Sequence, residues 1–215
     1  MKSHKSRILA HRGHWKNESG YKLLEKNSLE AISRAANLGF GIETDIRDFL
    51  GEIVVSHDPV TKLELSLHEI FKIKIAGPVA LNVKSDGLAP KITTMLKSQK
   101  PNFEIFFFDM STPEYQNYLK HDLRVASRIS EYDGMTTQKA NSIWLDSFTS
   151  DWYIDNCDWL HSYQDKNVII VSPELHKRSH LDSWNWISKR MNEYENLSIC
   201  TDSPLEFLEY WQSQS

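Results

Sequence analysis

At 215 residues and 40% hydrophobic content the chain is long enough to bury a core as one domain, and nothing in its length demands two. Its 25 Lys and Arg are scattered and outweighed by 29 Asp and Glu, for a net charge of −4, which argues against the clustered positive face of a nucleic-acid binder. Cys157 and Cys200 match no zinc spacing and are too few for a disulfide scaffold, the N-terminus lacks the apolar segment of a signal peptide, and no apolar run approaches ~18 residues. The expectation is a cytoplasmic protein with unpaired thiols, no transmembrane segment and no nucleic-acid partner.

A strand-then-helix rhythm runs along the chain. Strand one is expected at 8–10, followed by a helix from about Asn27, where Leu29, Ile32, Ala36 and Leu38 recur near the helical period and Gly39 is placed to end it. Strand two is expected at 42–46, a hairpin-like excursion through Gly51 brings up 53–56, and 67–71 reads as one or two helical turns. Strand three is expected at 79–84, with a helix at 88–97, and strand four at 104–109, whose continuous apolar character fits a strand buried on both faces. A helix opens at Ser111-Thr112-Pro113-Glu114, a capping sequence with proline in the first turn. Then come strand five at 124–127, strand six at 142–146, a helix over 151–163, strand seven at 167–172, a helix at 181–194, strand eight at 197–202 and a last helix from Pro204. Eight β-rich segments, all but the fifth followed by a helical one, predict an α/β protein: a single-domain (β/α)₈ TIM barrel over residues 1–215, with an open doubly wound sheet as the alternative.

Polar residues collect where each apolar run stops: His11, Asp45, Lys84, Asp109, Asp146, Glu174 and Asp202. A barrel gathers all these ends around one rim. His11 and His57 each follow a strand, and Glu43 and Asp45, two apart on one strand, share a face on which they can hold one divalent cation. Two histidines and two carboxylates at three successive strand ends form an active-site pattern.

With these residues in place the sequence resembles the glycerophosphodiester phosphodiesterase family, whose relatives include phosphatidylinositol-specific phospholipase C enzymes. The matching pieces are His11-Arg12-Gly13, Asn27-Ser28-Leu29-Glu30-Ala31, Glu43-Thr44-Asp45, Val55-Ser56-His57-Asp58 and, more loosely, Leu81-Asn82-Val83-Lys84 and Cys200-Thr201-Asp202-Ser203-Pro204. The resemblance implies acid and base roles for His11 and His57, metal ligation by Glu43 and Asp45, usually of Mg²⁺ or Ca²⁺, and phosphate binding by Arg12 and Lys84. Its chemistry is cleavage of a small-molecule glycerophosphodiester-like or sugar-linked phosphodiester to a phosphomonoester and an alcohol. Two alternatives stay open: a lyase that stops at a cyclic phosphate, and a non-catalytic binding barrel with a weakened metal site. Oligomeric state is not written in these motifs.

The sequence departs from the family at two places. Asn82 stands where a third metal-ligating glutamate is usual, so the amide oxygen is the expected third ligand, with Asp86 and Asp146 as candidates to help. The family's Pro-Glu-Asn reads Glu25-Lys26-Asn27, which puts a cation where an acid is common. About twenty residues separate Asp58 from strand three, leaving little or no room for an inserted cap. Asn27, Asp86, Asp146, Glu174 and Asp202 are expected at the rim or just behind it. Trp144 reads as core or substrate contact, His14 and Trp15 as ordinary loop or pocket mouth. Trp152, Tyr153, Trp184 and Trp186 read as helix packing, against a membrane-facing patch, and 189–195 as a solvated helix face.

Overall fold

The structure, a computed structural model, describes residues 3–62, 64–134, 139–155 and 158–214. Cys157 lies outside them. Strands β1 (Ile8–His11), β2 (Gly41–Phe49), β3 (Glu52–Val55), β4 (Val79–Val83), β5 (Ile105–Phe108), β6 (Ala126–Ile129), β7 (Ser142–Leu145), β8 (Asn167–Val171) and β9 (Leu197–Thr201) form one sheet. All but β3 are parallel, in the order β5-β4-β2-β1-β9-β8-β7-β6. The two ends of that order meet through a parallel bridge from Phe107 to Val125, with the Phe107 N–H on the Arg124 carbonyl at 2.9 Å. The sheet is therefore a nearly closed (β/α)₈ barrel in one domain, and the doubly wound alternative falls because its edges would stay apart.

Helices α1 (Leu29–Leu38), α2 (Leu67–Ile70), α3 (Ala89–Gln99), α4 (Thr112–Lys120), α5 (Asp158–His161), α6 (Leu181–Glu193) and α7 (Pro204–Ser213) connect the strands. Their ends follow local chemistry. Ser28 Oγ accepts from Ala31 N at 3.1 Å, and Gly39 closes α1 in the left-handed region at φ 89°. Ser66 and Glu69 complete a reciprocal capping box on α2, and Ser111 Oγ caps α4 through Glu114 N at 3.3 Å.

Alternation along the strands divides the core in two. One set, with Ile8, Ala10, Ile42, Ile46, Leu81 and Phe107, packs outward against the helices. The other, with Leu9, Ala80, Phe106, Phe108, Trp144 and Cys200, fills the barrel interior. Trp144 stacks on Phe108 with centroids 4.0 Å apart, so it is core and not a substrate contact. Trp184 and Trp186 pack on Phe207 and Trp159, as helix packing predicts, while Trp152 lies in a turn, edge-on to its neighbour Tyr153. Among the described residues no helix is long and apolar enough to cross a membrane.

Two expectations about elements need correction. Among the described residues of the helix expected over 151–163, only α5 is α-helical, 156 and 157 lying outside them; the Asp151 carboxylate instead accepts from Ser183 Oγ at 2.7 Å and pairs with Arg178. These partners, about thirty residues on, hold 151–154 in a turn. Strand five, expected at 124–127, is β6 at Ala126–Ile129, because Arg124 and Val125 serve the closing bridge instead.

Candidate active site

The inward parity that places Leu9 in the barrel interior puts His11 above it, and the same step places Glu43 and Asp45 on β2 and Asn82 on β4. Register aligns them: His11 lies beside Glu43, and Asp45 beside Asn82. The β2–β3 hairpin, long enough to pair Ile46 with Val55, returns the chain so that Ser56 N bonds the Asp45 carbonyl at 3.2 Å, and His57 follows directly.

The turn after β1 carries Arg12 and Gly13 in the left-handed region, at φ 57° and 80°. Gly13 is required there, since a Cβ would sit 2.6 Å from the Ala31 carbonyl carbon. The turn is pinned by His14 N on the Ala31 carbonyl at 2.9 Å and Asn27 N on the Arg12 carbonyl at 2.9 Å. Asn27 is itself left-handed at φ 61°, so it precedes α1 rather than opening it, and its side chain enters the site.

His11 Nδ1 lies 2.6 Å from Asp202 Oδ1, and its Nε2 lies 3.7 Å from Glu43 Oε2. A carboxylate partner makes Nδ1 the protonated nitrogen and leaves Nε2 for a reacting group. Burial would raise Asp202, but the hydrogen bond from His11 and the charges of His11, Lys26 and Lys16 hold it below the usual carboxylate value. Glu174 sits behind this pair: its carboxylate accepts from Thr201 Oγ1 and from the Asp202 N–H at 3.1 Å, and bonds Ser172.

Asp45 is 1% exposed: Asn27 Nδ2 donates to it at 2.9 Å, and the Arg12 and Lys84 cations form ion pairs with it, Nε at 3.1 Å and Nζ at 3.3 Å. Asn27 Oδ1 in turn accepts from Thr44 Oγ1 at 2.8 Å. Glu43, also buried, accepts from the Arg12 N–H at 3.1 Å. Its carboxyl is pushed well above the usual value by burial and then by the Asp45 charge, against the opposing pull of Arg12 and Lys84.

Asn82 donates to Asp109 Oδ2 at 3.0 Å, while its Oδ1 is buried with no hydrogen-bond partner among the described residues. Asp109 also pairs with Arg128 at 3.2 Å, and burial raises its carboxyl despite that cation. Of the expected helpers, Asp86 accepts from Ser111 Oγ at 2.7 Å, and Asp146 meets His176 Nε2 at 2.6 Å, near enough for its charge to act on Asp109. The acid beside Asn82 is Asp109, which was legible as a strand-end polar residue, whereas Arg128 lies past the expected end of its strand and carried no signal.

His57 stands across a cleft of about 460 Å³ whose walls include Arg12, Lys26, Asn27, Ser56 and Leu65. Its Nδ1 is 2.9 Å from Asp58 Oδ1, and its side chain is 43% exposed. His14 is buried on Glu18 at 2.8 Å and is structural, while Trp15 turns its Nε1–H to the His11 carbonyl at 3.1 Å.

Among the described residues no three His, Cys, Asp or Glu side chains form a metal-holding group. The oxygen set of Glu43, Asp45 and the orphaned Asn82 Oδ1 nonetheless suits a hard divalent cation, which takes carboxylate and amide oxygens and fills its remaining positions with water or substrate.

No protein-family model matches the chain, and no curated protein sequence matches it. The fold does match a solved structure, the crystal structure of glycerophosphodiester phosphodiesterase from Agrobacterium tumefaciens str. C58, with a TM-score of 0.65 and 14% identity. The match covers 96% of this chain and 99% of that one. At this identity the likeness establishes the barrel.

Proposed function

We propose that this barrel is a metal-dependent phosphodiesterase that cleaves a glycerophosphodiester-like or sugar-linked phosphodiester to a phosphomonoester and an alcohol. The observation that carries the reading is the convergence of the His11–Asp202 pair, the buried Glu43 and Asp45, and the Arg12 and Lys84 cations at one rim. The full-length likeness to a barrel titled glycerophosphodiester phosphodiesterase supports it.

In this reading Arg12 and Lys84 hold the phosphate and offset its charge. His11 and His57 act as an acid/base pair: one takes the proton of the attacking water or substrate hydroxyl, and the other gives a proton to the departing alkoxide. Asp202 keeps the His11 ring oriented, and Glu174 holds the Asp202 backbone. Mg²⁺ or Ca²⁺ held by Glu43, Asp45 and Asn82 would supply further neutralisation of the non-bridging oxygens.

The test is hydrolysis of bis(p-nitrophenyl) phosphate and a glycerophosphodiester panel with Mg²⁺, Ca²⁺ or EDTA. Turnover with either cation and its loss in EDTA are expected. Turnover that persists in EDTA would remove the metal, and cyclic phosphate as the end product would make the enzyme a lyase. One feature favours a non-catalytic binding barrel: Arg12 and Lys84 already neutralise Asp45. Absence of turnover on every diester would select that reading.

Asn82→Glu adds a charged ligand where the amide oxygen is unpartnered. Ca²⁺ affinity measured by titration calorimetry is expected to tighten roughly tenfold, the order of one extra charge at short range. Unchanged affinity would take Asn82 off the ligand list.

A further inference from the structure

Lys26 is the cation that stands where the resemblance leads one to expect an acid, and the structure shows what it does there. Its Nζ lies 4.1 Å from the centre of the Trp15 ring and 3.9 Å from Asp202 Oδ2, and the side chain remains 40% exposed on the wall of the cleft shared with Arg12 and His57. Trp15 is fixed in turn by its bond to the His11 carbonyl, so ammonium and indole form a defined surface beside the catalytic histidine.

We infer that the Lys26–Trp15 pair selects a substrate one of whose ester arms carries a negative charge, a carboxylate or a second phosphate. The inference rests on the phosphodiesterase reading above.

Three observations carry it. An exposed tryptophan face attracts quaternary ammonium groups, but here an ammonium already covers that face, so a cationic arm loses the π contact and meets like charge. Asp202 leaves Lys26 unsaturated, because its Oδ2 stands 3.9 Å away, at the long limit of an ion pair, while its Oδ1 is held by His11 Nδ1 at 2.6 Å. Lys16, on Ser203 Oγ at 2.6 Å, adds a second ammonium whose charge reaches Asp202. The acids that line the cleft are Glu25, Glu64 and Asp58, the last bonded to His57; the charged group over Trp15 is Lys26.

The experiment compares p-nitrophenyl phosphodiesters with a propyl, 3-carboxypropyl, 3-phosphooxypropyl or choline arm on the wild-type protein, Lys26→Met and Lys26→Glu. The readout is the ratio of kcat/KM for anionic over choline arms, which a general loss of activity leaves in place. The wild type is expected to favour anionic arms on the order of tenfold, the effect of one unit charge near a protein surface. The ratio should fall toward one in Lys26→Met and invert in Lys26→Glu. A larger Lys26-dependent gain for the phosphate arm identifies a second phosphate, and the reverse a carboxylate. Cleavage of all four esters without preference, or a preference that survives Lys26→Met, overturns the inference while leaving the diesterase reading intact. No cleavage of any ester overturns that reading and the inference with it.

Discussion

Replacing His11 or His57 with alanine is expected to lower kcat/KM on a phosphodiester by roughly 10²–10⁴-fold each, the usual contribution of a positioned proton-transfer group. The double variant should be little worse than the weaker single one, because an acid and a base acting in one transition state do not contribute additively. The two should part in stability. The His57 side chain is 43% exposed and its ring bonds Asp58, whose side chain is 87% exposed, so thermal unfolding of His57→Ala should stay within about 0.5 kcal/mol of wild type. His11→Ala strips the largely buried Asp202 of its 2.6 Å donor, and a measurable loss of stability is expected there. Undiminished turnover in both variants would exclude the two-histidine mechanism.

The second large effect is structural. Gly13→Ala should destabilise the fold by about 3 kcal/mol, lowering Tm by roughly 10 °C for a chain of this size. Two causes add: the residue sits at φ 80°, and a methyl group would meet the Ala31 carbonyl carbon at 2.6 Å and the Ile32 nitrogen at 2.7 Å, both backbone atoms that cannot swing away. Gly51→Ala is the control. It has the same φ of 80° but nothing within 4 Å, so only the conformational term of about 1 kcal/mol applies. Equal losses in the two variants would mean that packing of the 11–13 turn on α1 contributes nothing. The glycine of His11-Arg12-Gly13 thus belongs to the scaffold: it lets the turn approach α1 closely enough for His14 N to bond the Ala31 carbonyl.

The legible part of the site lies on strands. Apolar runs at 8–10 and 42–46 alternate in register with the barrel, so His11, Glu43, Asp45 and Asn82 fall on one face whatever the loops do. Less legible was what each group would touch. Asn27 read as the start of a helix, yet its left-handed backbone turns its amide onto Asp45 and Thr44. Asp86, two residues after Lys84, gave no sign of the bond it accepts from Ser111, on the following β–α unit. Asp109 meets Asn82, and Arg128 meets Asp109, only because β4, β5 and β6 are neighbours in the closed ring.

What the sequence by itself determined is the alternation of strands and helices, the capping of α1, α2 and α4, and the inward parity of the polar residues at the strand ends. These depend on residues within one or two turns of each other, where propensity and periodicity act directly. Only the tertiary structure decided the closure of the ring through Phe107 and Val125, the shortening of the helix expected at 151–163, and the pairing of His11 with Asp202, 191 residues apart. It also decided that the lysine at position 26 comes to rest on Trp15 beside that pair. The physical reason is that each depends on partners that only packing brings together, and no local pattern encodes which of the available partners will then be nearest.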